Sequence, residues 1–134
     1  MSPLGVAAIT AGVLVIWTAF LALRISLVRV RDKIGVGHEV PPDLHRAIRA
    51  HGNAAEHVPI LLFGVFGLAV TGASTPWVAA AGLAAVVCRL MHGAGMILTG
   101  KPTRLRFYGT ILTYSTMFVS GAATIVLAAL HCGL

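Results

Sequence analysis

The chain has 134 residues, of which 57% are hydrophobic and 10% charged, with a net charge of +6 and a mean hydropathy of +0.90. A soluble domain carries about 25% charged residues, so this composition excludes a water-facing surface and leaves lipid as the outer solvent. The positive charge does not point to nucleic acid, because its placement along the chain is that of a membrane protein.

About 20 apolar residues cross the hydrocarbon core as a helix, so the chain has room for four spans, short loops and no soluble domain. The opening apolar run lacks a basic leader and is too long for a signal-peptide core. It is read as a retained first span, residues 3–27, with Arg24 snorkelling to the interface. A polar loop follows, with Arg29, Arg31, Asp32, Lys33, Glu39 and Asp43 among Gly35, Gly37, Pro41 and Pro42. Asp43 is the expected N-cap of the second helix.

The second span covers residues 44–71. Its first half is polar and its second half apolar, and Pro59 between them predicts a kink. Gly72 and Pro76 break the chain before a third span over 77–98. A basic turn, Thr99 and Gly100 to Lys101, Pro102 and Thr103, leads to a fourth span over 104–130. The expected fold is an all-α integral membrane four-helix bundle with up-down topology, forming a single domain.

Every Lys and Arg lies in the first or third loop or in the span portions nearer to them. The positive-inside rule then places both loops in the cytoplasm and both termini outside it. The basic groups meet anionic headgroups there. Cys88 is expected inside a span and Cys132 at the opposite membrane face, so no bridge within the chain is expected and both read as small apolar filler.

The informative residues are those a span should not contain. At 100° per residue, Asn53 lies about 40° from Arg49, with Glu56 about 20° to the other side, so the three form one stripe. Glu56 is roughly 16 Å along the helix from its cytoplasmic start. A charge at that depth costs several kcal/mol unless it is paired, so the stripe is expected to face other helices or a wet cavity. Arg89 and His92 share a face of the third span. Arg89 lies roughly 13 Å from the cytoplasmic end of that span, and the similar depth makes Glu56 its expected ion-pair partner. Two readings stay open on these residues alone: buried charges that hold the bundle in register, or a polar site open to the cytoplasm. Arg104 and Arg106 open the fourth span as interfacial anchors or as part of that site. Tyr108 and Tyr114 are explained as belt and core aromatics.

No metal site is expected. His45, His51 and His57 are six residues apart and fall on different faces, and no HExxH or Cys/His cluster occurs. A small multidrug exporter also has four short spans and one membrane carboxylate. Such exporters resemble this chain less, since their Glu lies in the first span and their charge bias is small.

The run Arg49–Ala50–His51–Gly52–Asn53–Ala54–Ala55–Glu56–His57–Val58–Pro59 resembles the R-A-x-x-N-x-x-E-x-x-P signature of the MAPEG family, the membrane-associated proteins in eicosanoid and glutathione metabolism. Arg89–Leu90–Met91–His92 resembles the family's R-x-x-[HY], and the basic start of the fourth span also fits. The first-loop run RVRDKIGVG and the stretch Arg106–Phe107–Tyr108–Gly109–Thr110 look most like the small bacterial branch.

The resemblance implies a homotrimer in a bacterial inner membrane, with glutathione as co-substrate between subunits on the cytoplasmic side. It implies that Arg49, Asn53, Glu56 and His57 hold the tripeptide and that Arg89 and His92 complete the pocket. Arg104 or Arg106 would favour the thiolate, and Arg29 or Arg31 would reach a neighbouring subunit's ligand. The implied activity is a glutathione transferase or peroxidase acting on lipophilic small molecules. The alternative within the same family is a non-catalytic protein whose stripe serves packing or lipid binding. His57 stands where glutathione-using members often have Tyr, as does Met96, and both changes remove a hydroxyl from the pocket.

Overall fold

A computed structural model describes residues 1–35, 37, 39–99 and 101–132, the last without its side chain. Gly100 of the basic turn and the side chain of Cys132 therefore lie outside the described residues. Four helices follow in order: α1 Pro3–Asp32, α2 Pro42–Val70, α3 Thr75–Ile97 and α4 Arg104–Cys132. Each is long and apolar enough to cross a membrane, and together they make an all-α four-helix membrane bundle.

Local chemistry sets the helix ends. Ser2 caps α1 by accepting from the Gly5 N–H at 3.1 Å, with Pro3 in the first turn. The helix continues five residues beyond the expected span, with Arg29 and Arg31 in its last turn. Lys33 ends it in the left-handed region at φ 53°, and Ile34 donates back to the Arg29 carbonyl at 3.0 Å. The N-cap of α2 is Pro41 rather than Asp43, since Pro42 is pre-shaped for the first helical position. Asp43 sits within the first turn and pairs with Arg46 at 2.5 Å. The helix α2 is continuous through Pro59.

Among the described residues α1 packs on α2 and α3, α4 packs on α2 and α3, and α1 does not touch α4. Each of α2 and α3 thus touches all three of the other helices. Large apolar side chains cover the outside, with Phe63 80% and Phe118 78% exposed. This arrangement suits a chain whose solvent is hydrocarbon.

Lipid is as apolar as a leucine-rich core, so close packing and interhelical hydrogen bonds hold such a bundle together. Small residues make that approach possible. A Cβ on Gly109 would fall 2.7 Å from the His92 backbone nitrogen, and one on Gly95 the same distance from the Arg106 nitrogen. Here α3 and α4 meet backbone to backbone. Gly109→Ala is expected to force them apart and to lower stability by about 1–3 kcal/mol, the usual cost of overpacking. Unfolding in mixed micelles measures this, and an unchanged midpoint would contradict the packing described.

Candidate functional site

The centre of the polar region is Arg89 on α3, which is 1% exposed. Its Nη2 donates to the Asn53 Oδ1 of α2 at 2.6 Å, and its Nη1 donates to the Thr113 Oγ1 of α4 at 3.3 Å. One guanidinium therefore ties three helices together. Its Nε is buried without a partner. Thr113 is free to accept because its own proton goes to the Gly109 carbonyl at 2.7 Å.

One turn along, His92 repeats the pattern. Its Nδ1 is 3.0 Å from the Thr110 Oγ1, and that hydroxyl donates to the Arg106 carbonyl at 2.9 Å. With the hydroxyl proton so placed, Nδ1 is the donor and the neutral tautomer leaves Nε2 as an acceptor. This Nε2 is buried and unpartnered. On α2, the His57 Nδ1 lies 2.9 Å from the Asn53 carbonyl, and its ring packs 5.8 Å from that of Tyr114. Asn53, His57, Arg89, His92, Thr110, Thr113 and Tyr114 line a small cleft of about 20 Å³, roughly the room a single water requires.

The expected Glu56–Arg89 ion pair is not formed. Glu56 is exposed, and among the described residues the ion pairs are Arg31–Asp32 and Arg46–Asp43. Depth matched, but direction around the helix did not. The buried face of α2 runs through Ala50, Ala54, Leu61, Val65 and Leu68. At 100° per residue, Glu56 lies about 60° further from that face than Asn53 does. Arg49 is exposed on the same outer side, while Asn53 is half-buried between stripe and core.

The remaining expected site residues lie toward the end of the bundle that carries the charges. Arg104 and Arg106 are exposed at the start of α4, where the Arg106 N–H donates to the Thr103 Oγ1 at 3.1 Å. Arg29 donates to the Gly35 carbonyl at 3.4 Å, and Arg31 pairs with its neighbour Asp32 at 2.6 Å. Met96 is buried. Among the described residues no group of three His, Cys, Asp or Glu is placed to hold a metal. Thr113 was not anticipated from the sequence, and Tyr114 was read only as a core aromatic. The available signal was a row of hydroxyl residues at helical spacing on α4, Thr110, Thr113, Thr116 and Ser120.

The geometry thus has two sides. Behind Asn53, a hydrogen-bonded network faces the bundle interior. In front of it, Arg49 and Glu56 project from the single chain. Removing Asn53 strips a buried cation of its closest acceptor, so Asn53→Ala is expected to cost about 1.5–3 kcal/mol. Glu56→Gln is expected to stay within about 0.5 kcal/mol, because Glu56 contributes nothing to the fold of the single chain. Comparing the two unfolding midpoints in detergent tests the assignment, and equal losses would reject it.

The family model of the MAPEG family matches residues 7–126. Two relatives from Escherichia coli, strain K12 and strain O6:H1, both called Inner membrane protein YecN, are each 32% identical over 82 residues. The match covers 58% of this chain and 63% of each relative, so the chain spans less than two thirds of their length. The chain belongs to the MAPEG family.

Proposed function

We propose that this MAPEG-family protein is a glutathione-dependent transferase or peroxidase of the bacterial inner membrane, acting on lipophilic electrophiles from a homotrimer. The observation that carries the reading is the outward projection of Arg49 and Glu56 beside Asn53. Charged side chains in a span do not face hydrocarbon, so another surface must cover them. A second subunit with a zwitterionic peptide between the two meets that need. The positive-inside rule supports a cytoplasmic position for this end, where glutathione is abundant, with both termini on the other side.

In this reading the Glu56 carboxylate takes the tripeptide's ammonium and Arg49 takes a carboxylate as a charge-assisted pair. Asn53 offers its amide while Arg89 holds its carbonyl oxygen. Arg89 and His92 thus position the pocket from behind, and His57 lines its inner wall. Arg29 or Arg31 reaches across from the neighbouring subunit. Arg104 or Arg106 stabilises the thiolate. The sulfur lone pair then attacks an electrophilic carbon, forming the C–S bond as the leaving group departs with its electron pair. With a hydroperoxide, two glutathione thiols supply two electrons and two protons, giving the disulfide, an alcohol and water.

A non-catalytic reading is favoured by one observation: Arg89 spends its Nη donors inside the bundle, on Asn53 and Thr113. Binding separates the two. Millimolar glutathione is expected to raise the melting temperature of the detergent-solubilised protein, and Arg49→Ala is expected to weaken that binding about tenfold or more, from the loss of a charged hydrogen bond. Conjugation of a chlorinated dinitrobenzene should fall in parallel. No thermal shift, or a shift indifferent to Arg49→Ala, would leave the packing reading in its place.

A further inference from the structure

The helices α3 and α4 diverge from their close contact. Near the charged end, Gly95 and Gly109 bring them backbone to backbone. Toward the other end they separate around a cleft of about 770 Å³, floored by Leu68 of α2 and walled by Ala81 and Ala84 of α3 and Leu112, Ala123 and Leu127 of α4. Small residues on both walls leave the gap unfilled. The cleft runs along α4 for about 22 Å at 1.5 Å per residue. It lies in the part of the bundle that carries no Lys, Arg, Asp or Glu.

We propose that this cleft holds one acyl chain of a bilayer phospholipid, drawn from the leaflet at the uncharged end. Three observations select that occupant. The cleft runs along the helix axis, as lipid tails do, and its length exceeds the roughly 15 Å of one hydrocarbon leaflet. The lining is mostly apolar, and its buried hydroxyls, Thr116 and Ser120, already donate to the Leu112 and Met117 carbonyls at 2.7 and 3.4 Å. Trp77 stands 71% exposed at the outer mouth, where the amphipathic indole marks the headgroup level.

The inner end of the cleft, at Ala84 and Leu112, stops five residues short of Arg89 on α3 and one short of Thr113 on α4. The tail would therefore end against the polar network without entering it. The site does not depend on glutathione and stands apart from the proposed activity.

Native mass spectrometry of the protein released from palmitoyl-oleoyl phosphatidylglycerol nanodiscs tests the proposal. One retained phospholipid per chain is expected. Ala123→Phe, which fills the cleft, is expected to lower the lipid-bound fraction about tenfold, an overpacking penalty of about 1.4 kcal/mol. Ala81→Leu, a smaller intrusion, should give a partial loss and guards against misfolding of the larger change. Ile16→Phe on the lipid-facing side of α1 should retain the adduct. Absence of lipid from the wild type, retention unaffected by both cleft substitutions, or a change in oligomeric state in place of lipid loss would overturn it.

Discussion

A guanidinium buried among three helices organises this protein. Moving a cation into a low-dielectric interior is costly unless hydrogen bonds meet it. Arg89 therefore dictates where its neighbours stand: Asn53 on α2 and Thr113 on α4 must both reach it. The glycine contacts between α3 and α4 follow from the same demand, since short threonine side chains span the gap only when the backbones are close. His92 and Thr110 repeat the arrangement one turn further on.

This dependence explains the use of threonine. A hydroxyl on a helix can send its proton to the carbonyl one turn back, leaving its lone pairs free. Thr110 and Thr113 both do so. Each becomes a pure acceptor at no cost in unsatisfied groups. Serving a cation and an imidazole N–H with neutral acceptors keeps carboxylates out of the interior. The acidic Glu56 is thereby left for the outer side of α2.

The sequence made the four spans readable, because composition and charge placement act over tens of residues and tolerate local error. Periodicity grouped Arg49, Asn53 and Glu56 in one stripe, but Asn53 is half-buried toward the core while Arg49 and Glu56 are exposed. The partner of Arg89 was not readable. Depth along a helix follows from counting residues, but the direction of a side chain toward a neighbour depends on how the helices are rotated about their axes. Asn53 and Glu56 lie within one turn of each other, and only that rotation decides between them. Thr113 was hidden for a related reason: on an apolar helix a threonine looks like filler until the donor it faces is known. The Asp43 cap failed more locally, because Pro42 already occupied the position that starts α2.

Asn53 is the hinge of the whole arrangement. Its carbonyl oxygen is held by Arg89, and the residue stands half-buried between the core face of α2 and the side on which Arg49 and Glu56 are exposed. A residue fixed in this way transmits the rigidity of the core to the surface stripe without placing a charge between them. The interior network thus lies within a single chain, whereas Arg49 and Glu56 project from it.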